Sequence, residues 1–425
     1  MKIRFAHINL ALPSLWVICN AHGHRSDSCS NIHSPQHPLR QSCPRTENNS
    51  QRKNDKHLPS SSQQLLTGQE TSSQLWSYTP ECMYCSGLGT NMCVYTSKTF
   101  KSNRGISIIA TPKSASSVAE NAVFHHLLLS TTAIGVFESP YEMRPIPGRG
   151  FGLVANRTVQ RGEKIFEDTP ILIAQPIAEK DGLTEEELYR LYRVAVERLP
   201  KKSQELVMGL HGHFGGDAVY DRFSTNAFNV FDFAALFPET SRMNHDCRPN
   251  AGYYFDKTTF THKVHAVREI SPEEEITISY ITPFLTSQQR LDRIPDQWGF
   301  NCTCSLCSSS KEHLAASDRR LEEIRNLEAQ LKDLSPTRIA KVETAEKLIS
   351  LYKEEGFETP VAKAYSFAAL EHIYVGNRRM AREFAALAVE MLRLWYGSLS
   401  EDVRLMDSIA REPEKHVHWK LFDKS

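Results

Sequence analysis

The chain has 425 residues, with 50 Lys and Arg against 50 Asp and Glu, 40% hydrophobic residues and ten cysteines; at roughly 100–200 residues per domain, this length predicts two or three globular units. A net charge of zero excludes a protein built around a global basic field, which bulk nucleic-acid binding requires. No apolar run approaches the roughly 20 residues that span a bilayer, and the cysteines are too sparse for a disulfide scaffold.

Residues 1–75 read as a disordered lead. Lys2 and Arg4 precede an apolar stretch in the layout of a weak secretory signal, interrupted by His7, Asn9 and Pro13. From residue 24 onward, Ser, Gln, Asn, Arg and Lys dominate, so too little apolar surface can be buried to offset ordering. Residues 76–139 form an N-terminal extension with Cys82-x-x-Cys85, Cys93, a strand-like Ile106-Ser-Ile-Ile-Ala110 and a core helix around Phe124-His-His-Leu-Leu-Leu129. Three cysteines do not close a tetrahedral zinc site. A disulfide, a partial metal site and buried thiols all stay open for them.

Residues 140–180 are β-rich, with turns at Gly148-Arg-Gly-Phe-Gly152 and Arg161-Gly162. Thr184-Glu-Glu-Glu187 forms a capping box ahead of Leu188, Leu191, Tyr192, Ala195 and Leu199 at helical spacing. A helical insertion over about 182–225 therefore separates two β-rich portions, the second running from about Phe228 to Tyr280. After Cys307 the pattern is helical over 315–425. Leu321, Ile324, Leu327, Leu331 and Leu334 share one face; Ser335-Pro336 predicts the start of a second helix carrying Ile339, Val342, Ala345 and Ile349; Thr359-Pro360 caps a third; and a fourth runs from Ala381 to Trp395. Paired helices with short turns fit either a hairpin stack of tetratricopeptide type or a plain bundle.

The cysteines carry the firmest chemistry. Cys302-x-Cys304-x-x-Cys307 places three thiolates within six residues, and a structural zinc takes four soft ligands in a tetrahedron. Cys247 is the one other cysteine after residue 93 and lies beside Asn244 and His245. As fourth ligand it would let the metal staple the two segments together; free thiols are the alternative.

Asn244-His-Asp-Cys-Arg-Pro-Asn250, then Glu275-Ile-Thr-Ile-Ser-Tyr280, then Trp298-Gly-Phe-Asn-Cys-Thr-Cys-Ser-Leu-Cys307 resemble, over about residues 140–310, the SET-domain protein lysine methyltransferases with their post-SET zinc loop. The insertion and helical tail are similar to the SET-and-MYND subgroup and its fungal relatives. The resemblance implies an α+β fold: a β-rich SET core with its pseudoknot at 140–281, the insertion, a zinc loop at 282–310 and a helical tail. It implies S-adenosylmethionine as cofactor and a structural zinc. Gly148, Gly150, Phe151, Asn244, His245 and Phe300 match cofactor positions, with Asn226 as a further one, and Tyr280 matches the active-site tyrosine. Cys247, Cys302, Cys304 and Cys307 match the metal ligands. Tyr253, Tyr254 and Phe255 would either wall the lysine channel or serve as strand core.

The expected activity is methylation of a histone or non-histone lysine, with a lysine-bearing protein or peptide as partner, no direct nucleic-acid contact, and a monomer in the nucleus or cytosol. The signal-like lead would instead imply the secretory route. The contrasting reading is a non-catalytic, zinc-stapled scaffold that binds partners through its helices. Two departures stand out. Glu273 occupies a turn position where the family commonly has glycine, which predicts a left-handed residue strained by about 1 kcal/mol. The seven cysteines and one histidine of a MYND module are absent. The remaining histidines, His211, His213, His262, His265, His416 and His418, lack the partners of a metal site and are expected in surface loops or strands.

Overall fold

A computed structural model describes residues 75–129, 139–177, 181–335 and 337–422; the disordered lead predicted for 1–75 and the signal-like segment within it lie outside the described residues, apart from Leu75. The extension starts with a hairpin, β1 (Glu81–Cys85) and β2 (Thr90–Ser97), then a single turn α1 (Phe100–Asn103), β3 (Ile106–Ala110), α2 (Pro112–Ala119) and α3 (Ala122–Leu129). Cys82 and Cys93 face each other across β1 and β2 and are joined in a disulfide, leaving Cys85 as a buried free thiol. Within α3, Phe124, Leu127 and Leu128 are buried.

The β-rich core follows with β4 (Tyr141–Ile146), β5 (Gly150–Ala155), β6 (Lys164–Asp168) and β7 (Leu172–Ala174). Next come the insertion helices α4 (Glu185–Glu197), α5 (Lys201–Met208) and α6 (Ala218–Asn226). Thr184 caps α4 in a reciprocal box with Glu187. Asp217 accepts from the Val219 and Tyr220 amides and so starts α6 beyond the glycines at 209, 212, 215 and 216. β8 (Phe228–Val230), β9 (Phe233–Leu236), β10 (Asn244–His245), β11 (Ala251–Asp256), β12 (Thr261–Ala266) and β13 (Glu275–Ile278) complete the core.

Three sheets result. β1-β2-β3-β7-β9-β8 form six strands, β10-β13-β5-β4 four, and β11-β12-β6 three. β3 pairs in parallel with β7, so the extension continues a sheet of the core. Between β12 and β13, Glu273 takes φ 68°, the left-handed geometry expected of this turn. Arg144 holds its carboxylate through bonds of 2.5 and 3.0 Å.

Beyond β13 lie α7 (Ser287–Trp298), α8 (Lys311–Lys332), α9 (Val342–Glu354), α10 (Val361–Tyr374), α11 (Arg378–Tyr396) and α12 (Glu401–Arg411). From α8 to α12 each helix packs on its neighbour in sequence around one apolar core. α9 begins at Val342, later than Ser335-Pro336 predicted; Pro336 itself lies outside the described residues. Arg338 is the reason: it pairs with buried Glu371 of α10 and bonds the Asp333 carbonyl, folding this stretch into turns and leaving Ile339 70% exposed. α7 was read as loop, yet Thr286 and Gln289 cap it reciprocally. Among the described residues no helix is long and apolar enough to cross a membrane.

Candidate active site and metal centre

Three adjacent strands assemble the site. β13 lies between β5, its antiparallel partner with Glu275 opposite Val154, and β10, its parallel partner with Asn244 opposite Thr277 and His245 opposite Ile278. The glycine turn that opens β5 and the Asn-His pair of β10 therefore flank Glu275. Asn244 Nδ2 donates to Glu275 Oε1 at 2.8 Å and to the Phe151 carbonyl at 3.3 Å. Arg149 donates to Glu275 Oε2 and to the His245 carbonyl, both at 2.6 Å. Sequence reasoning passed over Arg149 and Glu275, although both stood inside the quoted motifs.

Gly148 and Gly150 adopt φ 72° and 71°, and an added methyl at either would meet nothing within 4 Å. The turn is thus an open cradle beside exposed Phe151. Gly152 is the crowded glycine: a methyl there would stand 2.7 Å from Glu275 Oε1, 2.8 Å from Ile146 and 3.0 Å from the Asn244 amide. Asn250, the last residue of the motif, is buried and fully engaged. Its amide nitrogen donates to the Glu275 carbonyl and Glu274, and its oxygen accepts from the Thr277 amide. It locks β13 in place, a role its sequence position did not reveal.

His245 is buried, and burial pulls its imidazole down to about 4, so it is neutral. Nδ1 accepts from the Tyr280 amide at 3.0 Å; the proton therefore sits on Nε2, which lies 3.3 Å from Cys247 Sγ. One side chain thus ties the cysteine centre to the strand end that carries Tyr280. The Tyr280 hydroxyl donates to the Met243 carbonyl at 2.7 Å, and burial raises its pKa. Its ring packs 5.3 Å from Trp298 and 6.4 Å from Phe300, which in turn is 6.4 Å from His245.

Other predicted residues lie apart from this network. Asn226 ends α6 with its amide nitrogen spent on the His211 and Arg222 carbonyls. Tyr253, Tyr254 and Phe255 cannot all line one channel, because successive strand residues alternate faces. Tyr253 packs 5.1 Å from Phe228, whereas Tyr254 turns to the tail, where Gly397 lies against its ring. Phe228, in the Thr225-Asn-Ala-Phe228 segment, joins Tyr253, Tyr280 and Met243 on one apolar cluster. His262 and His265 are buried in β12, while His213 packs against Gly299.

Cys247, Cys302, Cys304 and Cys307 place their sulfurs within 4.8 Å of one another. The mutual hydrogen bonds push the Cys247 thiol up and draw Cys304 down. Four soft donors at this spacing suit a tetrahedral thiophilic cation, which would hold all four as thiolates. Among the described residues this is the one cluster of at least three such side chains whose ligand atoms come close enough to hold a metal ion.

Residues 150–281 match the SET domain family model. The chain is 25% identical over 293 residues to histone-lysine N-methyltransferase set5 of Schizosaccharomyces pombe, covering 65% of this chain and 85% of that protein. It is 30% identical over 189 residues to N-lysine methyltransferase SMYD2-A of Danio rerio and 28% over 198 residues to SMYD2 of Homo sapiens. Those alignments cover 44% of this chain but 40% and 42% of the two relatives, so the chain spans less than half the length of either. Motif order, sheet topology and the matched region agree on a SET domain over residues 150–281. Around that domain the chain is similar to proteins named as lysine methyltransferases, and it carries a helical C-terminal region and a four-cysteine centre.

Proposed function

We propose that the chain is an S-adenosylmethionine-dependent protein-lysine N-methyltransferase with one structural zinc, acting on lysines of histone or non-histone proteins. The observation that carries this reading is the single hydrogen-bonded unit formed by the glycine turn, Asn244, His245 and Tyr280 across β5, β13 and β10. The open cradle at Gly148 and Gly150, with Phe151 and the Asn244 amide beside it, suits a ligand that is part flat ring and part polar tail; Phe300 would meet the ring. The cofactor supplies an electrophilic methyl group on a sulfonium.

The remaining work falls to the chain. Methyl transfer to an amine is an in-line displacement that depends on alignment more than on acid or base strength. A lysine with a pKa near ~10.4 is almost wholly charged at neutral pH, and apolar surroundings such as Phe228 and Tyr253 favour loss of its proton. Burial keeps the Tyr280 phenol neutral. Because its proton is committed to the Met243 carbonyl, its oxygen lone pairs are left to accept from the amine and orient it. Cys247, Cys302, Cys304 and Cys307 would hold the zinc and so keep Trp298 and Phe300 against Tyr280.

The test is methyl transfer from labelled S-adenosylmethionine to a peptide array. Wild type should label lysine peptides, and Tyr280→Phe should lose most of that activity while retaining the cofactor; equal labelling by the two proteins would show that Tyr280 is not the active-site hydroxyl.

A further inference from the structure

Among the described residues, Arg290 has the largest fully buried side chain, at 1% exposure. It belongs to α7, between Thr286, which caps the helix, and Ile294 on the same buried face. One of its nitrogens, Nη1, donates to the Leu285 carbonyl at 2.7 Å, while Nε and Nη2 have no partner. Among the described residues no carboxylate forms an ion pair with it. A guanidinium cannot shed its charge, so a buried one with two idle donors carries an uncompensated desolvation cost unless an anion stands close by.

Its surroundings indicate which anion. Leu285 and Ile294, on either side of Arg290, pack in the same cluster as Cys247, Cys302, Cys304 and Cys307. His245 Nε2 lies 3.3 Å from Cys247 Sγ on the same centre. Four thiolates around a divalent zinc carry a net charge of −2, and thiolate sulfur accepts hydrogen bonds.

Resting on the zinc reading given above, we propose that Arg290 is the buried counter-cation of the four-cysteine centre, a positioning residue that offsets the thiolate charge and holds the metal. The dependence is mutual: the loaded centre compensates Arg290, and Arg290 slows the release of zinc from the thiolates. This role goes beyond the ligand set, and its sequence signal is faint, being one arginine in a polar helix.

The experiment uses the full-length protein purified without chelator. Elemental analysis gives the zinc content, and a chromogenic chelator gives the release rate for wild type, Arg290→Met, Arg290→Lys and Arg290→Gln. The cobalt-substituted proteins give the sulfur-to-metal charge-transfer band. Wild type should hold one zinc. Arg290→Met should release it about tenfold faster or more, the scale seen when partners of metal ligands are removed, and should shift the cobalt band; Arg290→Lys, which keeps the charge, should recover much of the retention. If Arg290→Met fails to fold, Arg290→Gln makes the same comparison. Equal release rates and unchanged cobalt spectra in the neutral variants would overturn the role of Arg290 alone. A wild type without zinc would overturn the metal reading and this proposal together.

Discussion

The joint between the helical tail and the Asn-His segment rests on one carboxylate, and its removal has a calculable cost. Glu355, just past α9, has a side chain only 1% exposed, with Arg248 Nη2 at 2.6 Å from one oxygen and Arg320 Nε at 2.6 Å from the other; Ser317 donates as well. Arg248 stands between Cys247 and Pro249, also donates to the Glu355 backbone carbonyl and lies 4.3 Å over the Phe357 ring. Breaking a buried ion pair by deleting one partner costs about 3–5 kcal/mol. Arg320 is 22% exposed and can regain water, whereas Arg248 at 13% can do so only in part. The expected cost of Glu355→Met is therefore about 3 kcal/mol, which at roughly 2 °C per kcal/mol for a chain of this size lowers the apparent Tm by about 6 °C. Differential scanning fluorimetry measures it. The double replacement Arg248→Met with Glu355→Met should recover most of the loss, since it strands only the more exposed arginine. A Glu355→Met protein within about 1 kcal/mol of wild type would show that the tail is held by apolar packing and that the charge network is incidental.

Gly152→Ala should push Asn244 and Glu275 aside and weaken cofactor binding about tenfold, or about 1.4 kcal/mol, with far-UV circular dichroism unchanged; unaltered affinity in a calorimetric titration would detach Gly152 from the site. The acid limb of stability should depend on β12. Burial holds His262 down at about 3 and His265 at about 4, against an ordinary value near ~6.5. The unfolded chain binds these protons first, so the stabilisation is complete above about pH 6.5 and is lost as pH falls from there toward the folded values. His262 stacks on Phe237 at 3.7 Å. His262→Phe should remove about 2 kcal/mol of the stability lost between pH 7.5 and pH 5; urea midpoints with the same pH slope as wild type would refute a buried neutral imidazole.

The candidate-site residues legible in the sequence were those packed into short continuous motifs. Tyr280, Asn244, His245 and the late cysteines carry their chemistry in residue type and spacing, and the left-handed Glu273 was visible because a turn there needs glycine. What stayed hidden depends on pairing between distant strands. The β1–β2 register decides that Cys82 joins Cys93 and not Cys85, and the parallel β3–β7 pairing makes the extension part of the core sheet. Arg149 and Glu275 acquire meaning only once β13 lies between β5 and β10. Tyr253 and Tyr254 were grouped by adjacency, yet the strand period sends them to opposite faces. The helix α7 was overlooked because its apolar positions are few, although Thr286 and Gln289 offered a capping signal.

The central claim is that the cradle formed by the glycine turn, Asn244 and Phe300 receives S-adenosylmethionine. Isothermal titration of the zinc-loaded protein with S-adenosylhomocysteine, the demethylated product, tests it most directly. One saturable site per chain is expected, lost when Gly150 is replaced by valine. Absence of binding to a folded, zinc-loaded protein would contradict the claim and leave a zinc-stapled scaffold.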